Sequence, residues 1–211
     1  VLSKPDDSVA DVSEVVLREA YARIGIQIQT VTVPAERALK MSNGGEVDGE
    51  VNRIIGLEET YVNLIRVPVS INMIEGVVFS KKEDLKLQGW ESLGPFTIGV
   101  RKGTKFAEKG TKGLNVEWVA NNEQLFMMLV RDRNDVIITS RVEGLEQMRN
   151  LNINGIYVAE PPLITLNLYH YLNKKHMSLL PEITRVLNEM AESGRIKEIR
   201  DEVINSQLKL N

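Results

Sequence analysis

The chain has 211 residues and a net charge of -3, from 26 Lys and Arg against 29 Asp and Glu. That length supplies one large domain or two small ones, and 43% hydrophobic with 26% charged residues excludes a disordered or low-complexity chain. A mildly acidic surface excludes the usual nucleic-acid binder, which must offset phosphate charge, and the lack of cysteine excludes disulfides, thiolate metal sites and thiol nucleophiles.

The first element is a helix after Asp6, Asp7 and Ser8, with apolar residues at Val12, Val15, Val16, Leu17, Ala20 and Ile24. Ser8 suits its N-cap and Gly25 its end. Residues 26–33, rich in Ile, Val and Thr, read as a strand. Pro34 then opens a helix that carries Arg37, Ala38, Leu39 and Met41 and stops at Gly44-Gly45. Residues 47–53 follow as a short strand leading into a loop. Residues 64–69 and 73–79 read as two strands, and the polar run Lys81 to Asp84 marks a boundary.

A second block repeats the alternation. Residues 96–100 form a strand, and Arg101-Lys102-Gly103-Thr104 turns it into a short helix ending near Gly110. A strand at 116–119 precedes a helix capped by Asn121 or Asn122. Residues 135–139 have the continuous apolar centre of a buried parallel strand. Ser140 and Glu143 form a capping-box pattern before Val142, Leu145 and Met148. A short strand at 155–158 and Pro161-Pro162 close the block. Residues 164–172 alternate cleanly as a long strand, and the tail is helical, with Leu179, Leu180, Ile183, Val186, Leu187 and Met190 on one face.

Two blocks of alternating strands and helices imply an α/β architecture with mostly parallel sheets, which bind ligands at the carboxyl ends of strands. Several segments, in order, resemble the type II periplasmic solute-binding proteins of family 3, the amino-acid-binding-like group. They are Glu19-Ala20-Tyr21-Ala22-Arg23-Ile24-Gly25, Pro34-Ala35-Glu36-Arg37-Ala38-Leu39, and Gly45-Glu46-Val47-Asp48-Gly49-Glu50. Further along come Thr97-Ile98-Gly99-Val100-Arg101-Lys102-Gly103-Thr104, then Arg133-Asn134-Asp135-Val136-Ile137-Ile138, then the return strand and tail.

The resemblance implies two lobes, each a mostly parallel sheet flanked by helices, joined by two crossing strands. Residues 1–82 and 163–211 would form lobe 1 and residues 83–162 lobe 2, with the ligand in the cleft between them and hinge closure upon it. It further implies a monomeric extracytoplasmic protein, its signal peptide removed, that hands a small molecule to an inner-membrane ABC permease or a sensor. No nucleic acid, cofactor or metal enters this reading. Two features depart from the amino-acid binders. Those place an acid just after the second-lobe strand for the ligand's ammonium, where this chain has Thr139-Ser140-Arg141; Asp135 lies before the strand. Their carboxylate-binding Arg follows a Ser/Thr-rich loop, whereas Arg53 arrives early and without it.

The candidate ligand-binding residues are Arg53, Thr104, Arg101, Ser140, Arg37 and Glu50. A guanidinium at Arg53 could hold a carboxylate through two hydrogen bonds; otherwise it is a solvated surface group. Thr104 opens a helix whose free N–H groups favour an anion, or it caps that helix. Arg101 adds positive charge and Ser140 could face the ligand or serve as a cap. Arg37 sits early in a helix, poorly placed against the dipole, which favours a specific partner. Glu50 could meet a ligand amine or Arg53. His170 and His176 lack metal-site company and read as structural or exposed. A donor-rich site of this kind fits an anionic or zwitterionic solute and a non-catalytic protein. The alternatives are a dehydratase or lyase on the same fold, with Glu50 as base, or an effector-binding domain of a cytosolic regulator.

Overall fold

The computed structural model describes residues 1–5 and 8–208; the acidic opening Asp6-Asp7 lies outside the described residues. The chain packs as two units. The first comprises Val1–Met73 and Leu166–Gln207, and the second Ile74–Thr165.

Unit 1 starts with β1 (Leu2–Lys4), α1 (Ser8–Ala22), β2 (Thr30–Thr32), α2 (Ala35–Gly44) and β3 (Gly49–Arg53). β1 pairs in parallel with β2 on one side and β3 on the other. The expected strand at 26–33 shrinks to Thr30–Thr32, because β1 offers only three residues to pair with. Ile26 and Ile28 pack against the core instead.

Two long strands run from one unit into the other. They are β4 (Leu64–Ser80) and β8 (Tyr157–Asn173), neighbours in the strand order β2-β1-β3-β8-β4-β7-β5-β6. The sequence reading divides each of them in two. In the structure Pro68 sits exposed within β4, where its missing N–H costs little, and Pro161-Pro162 falls inside β8 without ending it. β4 stops at Ser80, where the polar run Lys81 to Asp84 begins. The units themselves divide earlier, between Met73 and Ile74.

Unit 2 adds β5 (Ile98–Arg101), α3 (Lys105–Gly110), β6 (Val116–Val119), α4 (Asn122–Val130), β7 (Val136–Ser140) and α5 (Arg141–Asn150). β5 is parallel to both β6 and β7, and β7 is antiparallel to β4. Alternate residues feed two cores. Val78, Ile98, Val100, Val136 and Ile138 pack on one face, and Val77, Phe79, Leu125, Phe126 and Ile137 on the other. With both faces covered, every residue of β7 is buried. Gly144 is required on α5, since a Cβ there would lie 2.1 Å from the Phe79 ring.

The tail forms α6 (Leu180–Glu192) and α7 (Arg195–Leu208). Ile183, Val186, Leu187 and Met190 of α6 are buried against Val16, Leu17 and Ala20 of α1, so the tail completes the core of unit 1 although unit 2 precedes it in the chain. Ile183 has no exposed surface, so Ile183→Ala removes buried methyl groups and leaves a cavity. It should cost roughly 2–5 kcal/mol, read as an earlier urea unfolding transition; an unchanged midpoint would show that this stripe is not core.

Candidate functional site

In unit 1 the carboxyl end of β3 carries Glu50 and Arg53. Residues three apart on a regular strand point to opposite faces. Here the pairing with β8 slips: Glu50 faces Tyr171 and Arg53 faces Tyr169, three residues against two. This bulge brings both side chains to one side. Arg53 Nε donates to Glu50 Oε1 at 2.7 Å, and its Nη2 bonds both Glu50 Oε1 and the Ala35 carbonyl, the latter at 2.8 Å. Glu50 is 0% exposed, and Ser3 Oγ and Ser42 Oγ lie 2.7 and 3.1 Å from its Oε2. Burial pushes its carboxyl above the ordinary range, while Arg53 and the two hydroxyls pull it down. Glu50 thus pairs with Arg53, one of the two roles the sequence leaves open to it.

The backbone at Glu50 is also held. Its carbonyl lies 2.8 Å from His170 Nδ1, and His170 Nε2 lies 2.9 Å from the Tyr21 hydroxyl. His170 is fully buried, which takes the structural one of the two roles the sequence leaves open to it, and burial lowers its pKa to about 4. Arg37 lies exposed on α2 with no ion pair among the described residues.

Unit 2 gathers the remaining candidates. β5 and β7 run in parallel with Val100 opposite Ile138, so Arg101 and Ser140 both stand at carboxyl ends. Ser140 caps α5: its Oγ accepts the Glu143 N–H at 3.3 Å and donates to Glu143 Oε2 at 2.8 Å. Arg101 Nη2 reaches Glu143 Oε1 at 3.2 Å. The structure therefore joins Arg101 and Ser140 through Glu143, which the sequence marks only as part of a cap.

Thr104 occupies the N-cap position of α3 but makes no side-chain cap bond. α3 has six residues, and the Gly103 N–H ahead of it is taken by Glu108 Oε1 at 2.8 Å. The expected set of free N–H groups is thus reduced, and the notable group is the side chain. Thr104 is 6% exposed and its Oγ1 has no partner among the described residues; the same holds for Thr139 Oγ1 and for the buried Nε of Arg101. A buried polar group without a partner costs about 1–3 kcal/mol and points to water or a ligand.

Arg141, just past β7, is tied to Glu75 Oε2 at 3.1 Å and to Glu160 at 2.8 Å. Its place is a charge anchor for both long strands within unit 2. Asp135 sits at the amino end of β7, accepting the Thr97 N–H at 2.8 Å. No cluster of His, Asp and Glu suited to a metal ion occurs among the described residues.

No family model matches the chain. A relative, an uncharacterized protein of Shewanella oneidensis, is 25% identical over 201 residues, covering 90% of this chain and 75% of its own. The GluR0 ligand-binding core in complex with L-glutamate shares the fold at a TM-score of 0.73 with 13% identity, over 97% of this chain and 98% of that one. AbpA of Streptococcus pneumoniae, an amino acid ABC transporter substrate-binding protein bound to L-arginine, matches at 0.70 with 14% identity, over 100% and 96%. A histidine kinase sensor domain with similarity to periplasmic binding proteins matches at 0.68 with 12% identity, over 96% and 94%.

The His170 contacts carry a pH dependence. The native state holds the imidazole neutral down to about pH 4, while the unfolded chain protonates it near 6.5. Its contribution is full above pH 6.5 and is lost as the pH falls toward 4, on the order of 3 kcal/mol. Glu50, raised by burial, acts in the opposite sense below its own pKa, so the parent must be compared with His170→Gln. The parent's stability should fall more steeply between pH 7 and 4.5 in urea unfolding; parallel profiles would show that His170 does not titrate as a buried group.

Proposed function

On this type II periplasmic-binding fold we propose a solute-binding domain that captures a small anionic or zwitterionic molecule without transforming it. The observation that carries the reading is the set of unmet polar atoms at the carboxyl ends of β5 and β7: Arg101 Nε, Thr104 Oγ1 and Thr139 Oγ1. All three can donate hydrogen bonds, and a carboxylate is the small group that accepts several at once. Strand carboxyl ends are where open α/β sheets bind ligands.

AbpA is bound to L-arginine and the GluR0 core to L-glutamate, which supports an amino-acid-like solute here. Both are described as binding a ligand, which supports a binding role here. Glu50 supports the non-catalytic reading as well: it has no exposed surface, and its oxygens are engaged by Ser3, Ser42 and Arg53. A lyase would need that carboxylate within reach of substrate. The reading makes the domain extracytoplasmic, with a membrane permease or sensor as partner. No helix among the described residues is long and apolar enough to cross a membrane.

A thermal-shift screen of amino acids, organic acids and polyamines tests this, since a ligand at a hundred times its Kd stabilises by about 2.7 kcal/mol. With the best ligand, calorimetry on Arg101→Gln should show at least about tenfold weaker binding. Thr104→Val should weaken it about fivefold or more, as one hydroxyl donor to the carboxylate is lost. A polyamine as the best ligand, or unchanged affinity in both variants, would overturn the reading.

A further inference from the structure

We propose that unit 2 carries a separate ligand site, on α4 and β6, for a small carboxylate with an apolar body. The proposal does not depend on the function proposed above. α4 ends in a Schellman turn: the Asp132 N–H bonds the Leu129 carbonyl at 3.2 Å and the Arg133 N–H the Met128 carbonyl at 2.9 Å, with Asp132 at a positive φ of 56°. The turn sets Arg131 and Arg133 beside a cavity of about 290 Å³ that they line together with Val119, Gln124, Met127 and Met128.

Charge and surface chemistry select the ligand. Arg131 and Arg133 are exposed and form no ion pair among the described residues. Asp132, between them in sequence, is engaged by Lys81 Nζ at 2.7 Å. Glu117 and Glu123 belong to the same two elements but do not line the cavity. A helix carboxyl end favours cations, which accounts for arginines at this turn. It does not account for an apolar hollow of Val119, Met127 and Met128 beside them. Two unpaired guanidinium groups at an apolar cavity match a ligand that is anionic at one end and hydrophobic at the other.

Size narrows the class further. The volume stands at the small end of ligand pockets, so it suits a medium-chain or aromatic monocarboxylate rather than a lipid. Methionine side chains adapt to irregular apolar shapes, so the pocket favours a chemical class over one compound. Gln124 Oε1 accepts the Ala120 N–H at 3.2 Å, and its amide N–H groups remain as a further donor.

The test uses the full chain with ¹³C-methyl methionine, assigning the Met127 and Met128 signals by Met→Leu substitution. Octanoate is titrated beside octanol and octylammonium, which share its length without its charge. Saturable shifts of Met127 and Met128 are expected with octanoate, and at least about tenfold weaker effects with octanol. The paired substitution Arg131→Gln and Arg133→Gln should weaken octanoate about tenfold and leave octanol unchanged. Thr104→Val should not alter the titration, which separates this site from the solute site. Equal shifts with octanol or octylammonium, no saturable shift with octanoate, or loss of the octanoate response in Thr104→Val would each overturn the proposal.

Discussion

A carboxylate with no exposed surface dictates how unit 1 is joined together. An isolated buried charge costs several kcal/mol, and only close, well-directed partners offset it. Glu50 has them from three elements: Ser3 on β1, Ser42 on α2 and Arg53 on its own strand. Arg53 returns to the start of α2 at the Ala35 carbonyl. The Glu50 backbone, through His170 on β8, reaches Tyr21 on α1. One residue therefore couples five elements, and removing any partner leaves a buried group unmet. Gly49 fits the same constraint, since a Cβ there would lie 2.3 Å from the Tyr171 carbonyl.

The bulge in β3 is what makes this possible. Without the extra residue, Arg53 would point away from Glu50 and the carboxylate would lose its charged partner. A guanidinium with two nitrogens committed to its own protein is a positioned donor with limited capacity, and its side chain is only 16% exposed.

Unit 2 has its own paired groups near the strand ends. Glu143 meets Ser140 and Arg101, and Arg141 meets Glu75 and Glu160, so these three acids are taken. Several of its donors at the ends of β5 and β7 are not. Two hydroxyls and a guanidinium nitrogen at these strand ends are under cover without a partner among the described residues, and each is a donor to which a small acceptor could add a bond. That argument concerns satisfaction of polar atoms. Residue identity alone could not make it, because threonine is as often a cap as a contact.

Much of the fold was legible in the residues themselves. The α/β class, the helix ends at Gly25 and Gly45, the Asn121 and Ser140 caps and the buried stripe of α6 all follow from contacts within a few positions or from side-chain period. Local chemistry is sufficient for these, so the sequence by itself determined them. It also placed Arg53, Arg101 and Ser140 at strand ends, and each does close a strand. Only the tertiary structure decided what these groups touch. Ser3 and Glu50 are 47 residues apart, and Arg101 and Glu143 are 42 apart. Whether such side chains meet depends on which strands are neighbours and on a single-residue slip in register, and a slip of one residue reverses the face of every side chain beyond it.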